Sequence, residues 1–166
     1  RKIKFFKRGH LFPRYANVLF KNPKKGKIKS DFLTNVPSNP SIIYKNCGVF
    51  LKTPLCFGFL SGHYASTNKF SSSDHRSRWD PEQIERWANA YKLFTCNPSI
   101  PNNQTNAQVA LRFCLSYPQV TAVIPGMLTP EHVEENVRSS EFGKLPLKSL
   151  QMFSKIYQEH QFFIQN

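Results

Sequence analysis

Hydrophobic and polar positions alternate in a readable way only from about residue 47 onward. "GVFLKTPL" is a short apolar run stopped by Pro54, and it predicts a buried strand over Val49–Thr53. In "DPEQIERWANAYKLF" the residues Ile84, Trp87, Ala88 and Tyr91 recur at the spacing of one helical face. Asp80 is the predicted N-cap of that helix, Pro81 its first residue, and Gln83 the return partner of a capping box. Thr105 and Gln108 spell a second box. It opens a helix carried by Ala107, Ala110, Leu111, Cys114 and Leu115 to the stop at Pro118. "VTAVIP" predicts the next strand. "TPEHVEENVRSSE" predicts a helix capped by Thr129 with Pro130 in its first turn, and "PLKSLQMFSKIYQEHQFF" the last helix. On the Thr129 helix, Val133 and Val137 define the expected core-facing stripe, while His132, Glu135 and Asn136 form a separate polar stripe.

The order is strand, long loop, helix, helix, strand, helix, helix. Short apolar strands separated by amphipathic helices imply an α/β fold with parallel pairing and crossovers. Two strands cannot close a sheet, so the pattern reads as the end of something larger. Trp87, Phe94 and Phe113 are expected at helix–helix contacts. "PLCFGFLSGHY" is a Gly-punctuated loop, and "ASTNKFSSSDHRSRW" a long surface loop.

Charge divides the chain in two. The net charge is +13, but residues 1–46 hold 12 Lys/Arg against the single acid Asp31, for +11. The remaining residues hold 11 against nine, for +2. Residues 1–46 also lack periodicity, and "KNPKKGKIKSDF" and "NVPSNPS" are turn chemistry. Lys, Asn, Ile, Phe and Tyr supply 25 of those 46 residues but 33 of the next 120, a bias shared by A/T-rich codons. The segment therefore reads as a basic, irregular extension, from translated non-coding or misjoined sequence. The competing reading is a basic arm for nucleic acid or an anionic membrane. The absence of an aromatic–basic period or a fold signature argues against that arm.

No apolar run is long enough to span a membrane, and no secretory signal follows the basic start. Cys47, Cys56, Cys96 and Cys114 show no CxxC pairing, which fits reduced thiols in a cytoplasmic protein. "GKIKS" lacks the upstream Gly and the Gly-Lys-Ser/Thr ending of a phosphate loop.

Two stretches carry candidate chemistry. In "TAVIPGMLTPEHVEEN" a strand stops at Pro-Gly and restarts as a capped helix. The positive end of that helix is expected to point toward Gly126, where no Cβ blocks a ligand. The His132, Glu135 and Asn136 stripe can read a purine edge, or simply be a solvated helix face. "TPLCFGFLSGHY" places Pro54, Gly58, Ser61 and Gly62 just after the first strand, at the carboxyl edge where ligands bind in parallel sheets. Two strand ends, each with a Gly-bearing loop, can hold the two ends of one dinucleotide.

These stretches, with "FSSSDHRSRW" and "TNAQVALRFCLSYPQVTAVIPGMLTPEHVEENV", resemble the C-terminal part of an aldo/keto reductase. The resemblance runs from about Cys47 to Leu150 and is nearest to the bacterial-type and potassium-channel-β-type branches. It implies residues 47–166 to be the portion of a (β/α)8 TIM barrel from about the sixth strand to the C-terminal helix. It implies an NADP (or NAD) cofactor and reduction of aldehydes or ketones. Pro54, Leu55, Gly58, Ser61 and Gly62 would then lie along the diphosphate, with Arg76 at the adenine–ribose end. Gly126, His132, Glu135 and Asn136 would surround the adenine and 2′-phosphate. Three departures weaken the expected preference for NADP: His63 stands for the family's lysine, Leu128 for an Arg or Ser, and His132 for Gln or Arg.

The family's proton-donating Tyr and its Lys, Asp and His come from the first half of the barrel, which residues 1–46 do not match. No catalytic residue and no metal set is nominated. A chain beginning with Arg1 also reads as a fragment. An incomplete barrel leaves strand edges and apolar surface open, so self-association or complementation by the missing half is expected, and a carbonyl substrate only after complementation. The alternatives are a non-catalytic NADP-binding or regulatory module with a basic arm, or a degenerate gene product.

Overall fold

Two three-residue strands, β1 (Phe50–Lys52) and β2 (Ala122–Ile124), pair in parallel with Phe50 opposite Ala122, Leu51 opposite Val123 and Lys52 opposite Ile124. The computed structural model describes residues 50–95, 100, 103–118 and 120–164. The basic extension, and the boundary drawn at Cys47, lie outside the described residues. β1 is shorter than the expected Val49–Thr53. Thr53 has φ of +63°, which ends the extended chain, and Val49 is outside the described residues.

The helices are α1 (Pro81–Thr95), α2 (Asn106–Leu115), α3 (Pro130–Glu141) and α4 (Leu147–Glu159). A parallel pair needs a long crossover, and α1 and α2 lie within it. The Gly-punctuated loop is more regular than expected: Cys56–Ser61 forms a kinked 3-10 helix, and His75–Arg78 a second one inside the long polar loop.

Phe59, Trp87, Phe94, Phe113, Phe153 and Phe162 are buried in one cluster. Phe153 of α4 meets Phe94 of α1 at 5.3 Å and Phe113 of α2 at 5.5 Å between ring centroids, so one side chain joins three helices. Each such ring contributes about 1.5–3 kcal/mol by leaving water. Phe94 and Phe113 thus lie at helix–helix contacts as expected. The buried Trp87 instead meets Phe57 and Phe59 of the first loop, Trp79 and Phe163. Cys56 and Cys114 are free thiols, and burial pushes Cys114 up to about 12, which suppresses its thiolate. Cys47 and Cys96 lie outside the described residues.

Two expectations are corrected. Asp80 does cap α1, its Oδ1 accepting from Glu82 N–H at 2.8 Å, but Gln83 does not reach back to complete a box. Its buried amide instead donates to the Phe162 carbonyl at 2.8 Å and accepts from Ile164 N–H at 3.1 Å. Arg86, one turn on, donates to the carbonyls of Gln161 and Phe163. The start of α1 therefore holds the end of the chain. Burial decides this, because a desolvated amide needs both of its bonding groups satisfied.

The second correction concerns α3. Val133 and Val137 are 43% and 59% exposed, and the polar stripe faces inward instead. His132, Glu135 and Asn136 are half-buried and Ser139 is buried. A Gln108 bond to the Glu135 carbonyl sets this orientation. The sheet shows the same one-sidedness: Leu51 is buried while Phe50 and Ile124 are exposed. Parallel sheets ordinarily bury both faces; here the described residues leave one face uncovered.

Candidate functional site at the carboxyl edge

The parallel register fixes where the candidate loops begin. Lys52 and Ile124 are partners at the carboxyl end of the sheet, so Pro54 and Gly126 follow their strands by the same number of residues. In the first loop Pro54 is buried, and Leu55, Gly58, Ser61 and Gly62 are half-buried. The Ser61 hydroxyl donates to the Gly58 carbonyl at 2.7 Å and steadies the kink.

The glycines of the two loops have different causes. Gly58 and Gly62 have φ of +94° and +80°, and a Cβ would come within 2.8 Å of the Tyr64 ring or 2.7 Å of Asn106 Nδ2. The chain itself requires glycine at both. Gly126 has no left-handed φ, and a Cβ there would meet nothing within 4 Å. Its bare backbone serves no packing need of the described residues.

The first turn of α2 stands between the two loops. Asn106 Nδ2 donates to the Ser61 carbonyl at 3.2 Å, and Gln108 Nε2 donates to the Glu135 carbonyl at 3.1 Å. Gln108 also completes the predicted capping box: its N–H donates to Thr105 Oγ1 at 3.2 Å and its Oε1 accepts from Thr105 N–H at 3.1 Å. One capped helix end thus fixes Ser61 on one side and Glu135 on the other.

At the second loop Thr129 caps α3 as expected, Oγ1 accepting from His132 N–H at 3.4 Å. Leu128 N–H donates to His132 Nδ1 at 3.3 Å, and Asn136 Nδ2 donates to the Gly126 carbonyl at 3.4 Å. The contact between Gly126 and α3 therefore runs through a carbonyl, not through a helix N–H. A bond from Thr129 and another from its own backbone hold the Glu131 carboxyl below its usual range. The positive end of α3 is already faced by that carboxylate. The shallow groove beside it is lined by Met127, Leu128, Thr129, Pro130, Val133 and Glu134, so it opens on the valine side and not on the predicted polar stripe.

Arg76 is held on several sides. Asp74 receives Nε at 3.0 and 3.1 Å and Nη2 at 2.6 Å, and Nη1 donates to the Phe57 carbonyl at 3.3 Å. The guanidinium carbon lies 4.4 Å from the Tyr64 ring centroid and 4.5 Å from that of Phe70. Arg76 bonds hold Asp74 down at about 2. Asp74 and Arg76 thus form an ion pair that, with the bond to Phe57, fastens the polar loop to the 3-10 turn.

Asn106 and Arg112 were missed by sequence reasoning. Arg112 is buried, and its guanidinium donates to the carbonyls of Phe142, Gly143 and Lys144 at 2.8–3.1 Å, closing the end of α3. A single cation inside the apolar run "VALRFCL" was the available signal. Among the described residues, no three His, Cys, Asp or Glu side chains are grouped to hold a metal ion, and no helix is long and apolar enough to cross a membrane.

The sequence matches the aldo/keto reductase family over residues 41–158, and the chain belongs to that family. Its α/β fold with an open sheet is part of a (β/α)8 barrel. The chain is similar to the apo form of aldo-keto reductase AKR11C1 from Bacillus halodurans, at 19% identity and a TM-score of 0.49, covering 74% of this chain and 38% of that one. For the holo form of the same protein the identity is 19%, the TM-score 0.46, and the coverage 70% and 36%. The chain thus spans well under half the length of these relatives. No curated protein matches the sequence.

Proposed function

We propose that this chain is the cofactor-binding part of an NAD(P)H-dependent aldo/keto reductase, and that the carboxyl edge of β1 and β2 receives the nicotinamide dinucleotide. The observation that carries this reading is the bare backbone at Gly126, level in the sheet register with the start of the first loop. A glycine without a packing cause at a strand's carboxyl end fits close approach by a ligand. In this reading Pro54, Leu55, Gly58, Ser61 and Gly62 line the diphosphate, and Arg76, Gly126, His132, Glu135 and Asn136 the adenosine end. A dinucleotide held there would supply hydride to a carbonyl carbon, and the chain's own residues would bind it and orient it.

The proton for the new alcohol comes from elsewhere. Burial raises Tyr117 to about 12, away from the range useful for an acid near neutral pH. No described residue is assigned that role, so aldehyde or ketone reduction belongs to a complemented barrel in the cytoplasm. The test is titration of the full chain with NADH and with NADPH, following Trp79 and Trp87 fluorescence together with thermal melting. Saturable quenching with a raised melting temperature is expected. Only a flat titration with both cofactors and an unmoved melt counts against the site.

A further inference from the structure

Resting on the dinucleotide reading above, we propose that this edge takes NAD(H) in preference to NADP(H). The two differ by a 2′-phosphate, which carries close to two negative charges at neutral pH. Recognising it calls for free cations. Recognising the bare ribose calls for an acceptor of its 2′-hydroxyl, often a carboxylate.

The second loop and the first two turns of α3 provide carboxylates and no permanent cation, the helix's one arginine, Arg138, lying in its last turn. Between Arg112 and Arg138 the chain has no Lys or Arg, while Glu131, Glu134 and Glu135 all fall in the first turns of α3. His132 Nδ1 is taken up by the Leu128 N–H. Leu128 projects an apolar side chain that is 89% exposed. The positive end of α3 faces Glu131.

The first loop does not make up the deficit. Arg76 is the candidate cation of that loop, and Asp74 covers its Nε–Nη2 edge with two oxygens. A 2′-phosphate taken up on that edge would have to displace this carboxylate. Lys52, Lys69 and Arg78 are the other cations of β1 and the polar loop, and all three are exposed, where salt screens them.

Parallel titrations of the full chain with NADH and NADPH test this. 5′-AMP and adenosine 2′,5′-bisphosphate serve as probes of the adenosine end alone. NADH is expected to bind at least about fivefold more tightly than NADPH, a difference near 1 kcal/mol. The same order is expected between the two adenosine probes. Asp74→Asn keeps an oxygen for the Arg76 N–H but releases the guanidinium charge, so the gap should narrow. NADPH binding as tightly as NADH, or more tightly, overturns the preference while leaving the dinucleotide site standing. Absence of binding by both cofactors overturns the site, and the preference with it.

Discussion

Gln108 reaches Glu135 across the α2–α3 contact, donating 3.1 Å to its carbonyl while the same side chain closes the Thr105 capping box. One amide therefore caps a helix and sets the rotation of the next. This explains why α3 presents its polar stripe inward and its valines outward. Gln108→Ala should lower stability by about 1–2 kcal/mol, as both a cap and a buried bond are lost. Urea unfolding followed by circular dichroism reads the change directly.

Gly62 should tolerate no side chain. Its left-handed φ and the 2.7 Å approach of Asn106 Nδ2 make Gly62→Ala strained, at a cost of about 1–3 kcal/mol. Moving Asn106 would also break its bond to Ser61. The expected result in a melting experiment is a lower midpoint for Gly62→Ala than for Asn106→Ala alone.

Arg112 is the polar residue whose loss should cost most. Arg112→Met keeps the length but leaves the carbonyls after α3 without their donor. The expected destabilisation is about 2–4 kcal/mol, larger than for a surface arginine such as Arg138. Hydrogen exchange should locate the change at the end of α3 and at Leu145, whose N–H donates to the Ser116 hydroxyl beside it.

These residues also show what the sequence could reveal. Helix periodicity and the Thr105–Gln108 box were legible because their causes are local: each is contained within a few residues of chain. The burial of Trp87 was legible for the same reason. The fate of Gln83 was not, because its partners lie some eighty residues away at Phe162 and Ile164. The inward face of α3 was misread because hydrophobicity predicts what should be covered, and nothing among the described residues covers Val133 and Val137. The candidate loops were found from glycines and strand ends. Only the geometry separated Gly58 and Gly62, which the fold demands, from Gly126, which it does not.

Asp74 gives the polar loop a defined acid sensitivity. Its carboxyl titrates at about 2 in the folded chain, against roughly 3.9 when unfolded. A folded value below the unfolded one adds stability above the unfolded pKa, and that stability is lost as pH falls through the folded value. Asp74→Asn should therefore melt below the wild type at pH 7. The gap should hold down to about pH 5 and shrink as pH approaches 2. A melting series from pH 7 to pH 2 checks the trend.

The most direct measurement compares Gly126→Val with the wild type for NADH binding and for thermal melting. A Cβ at Gly126 would meet no described residue within 4 Å. The melting temperature of the unliganded protein should stay where it is while NADH affinity falls by about tenfold or more. Unchanged affinity in a well-folded Gly126→Val variant would contradict the central claim that this strand end is where the dinucleotide approaches.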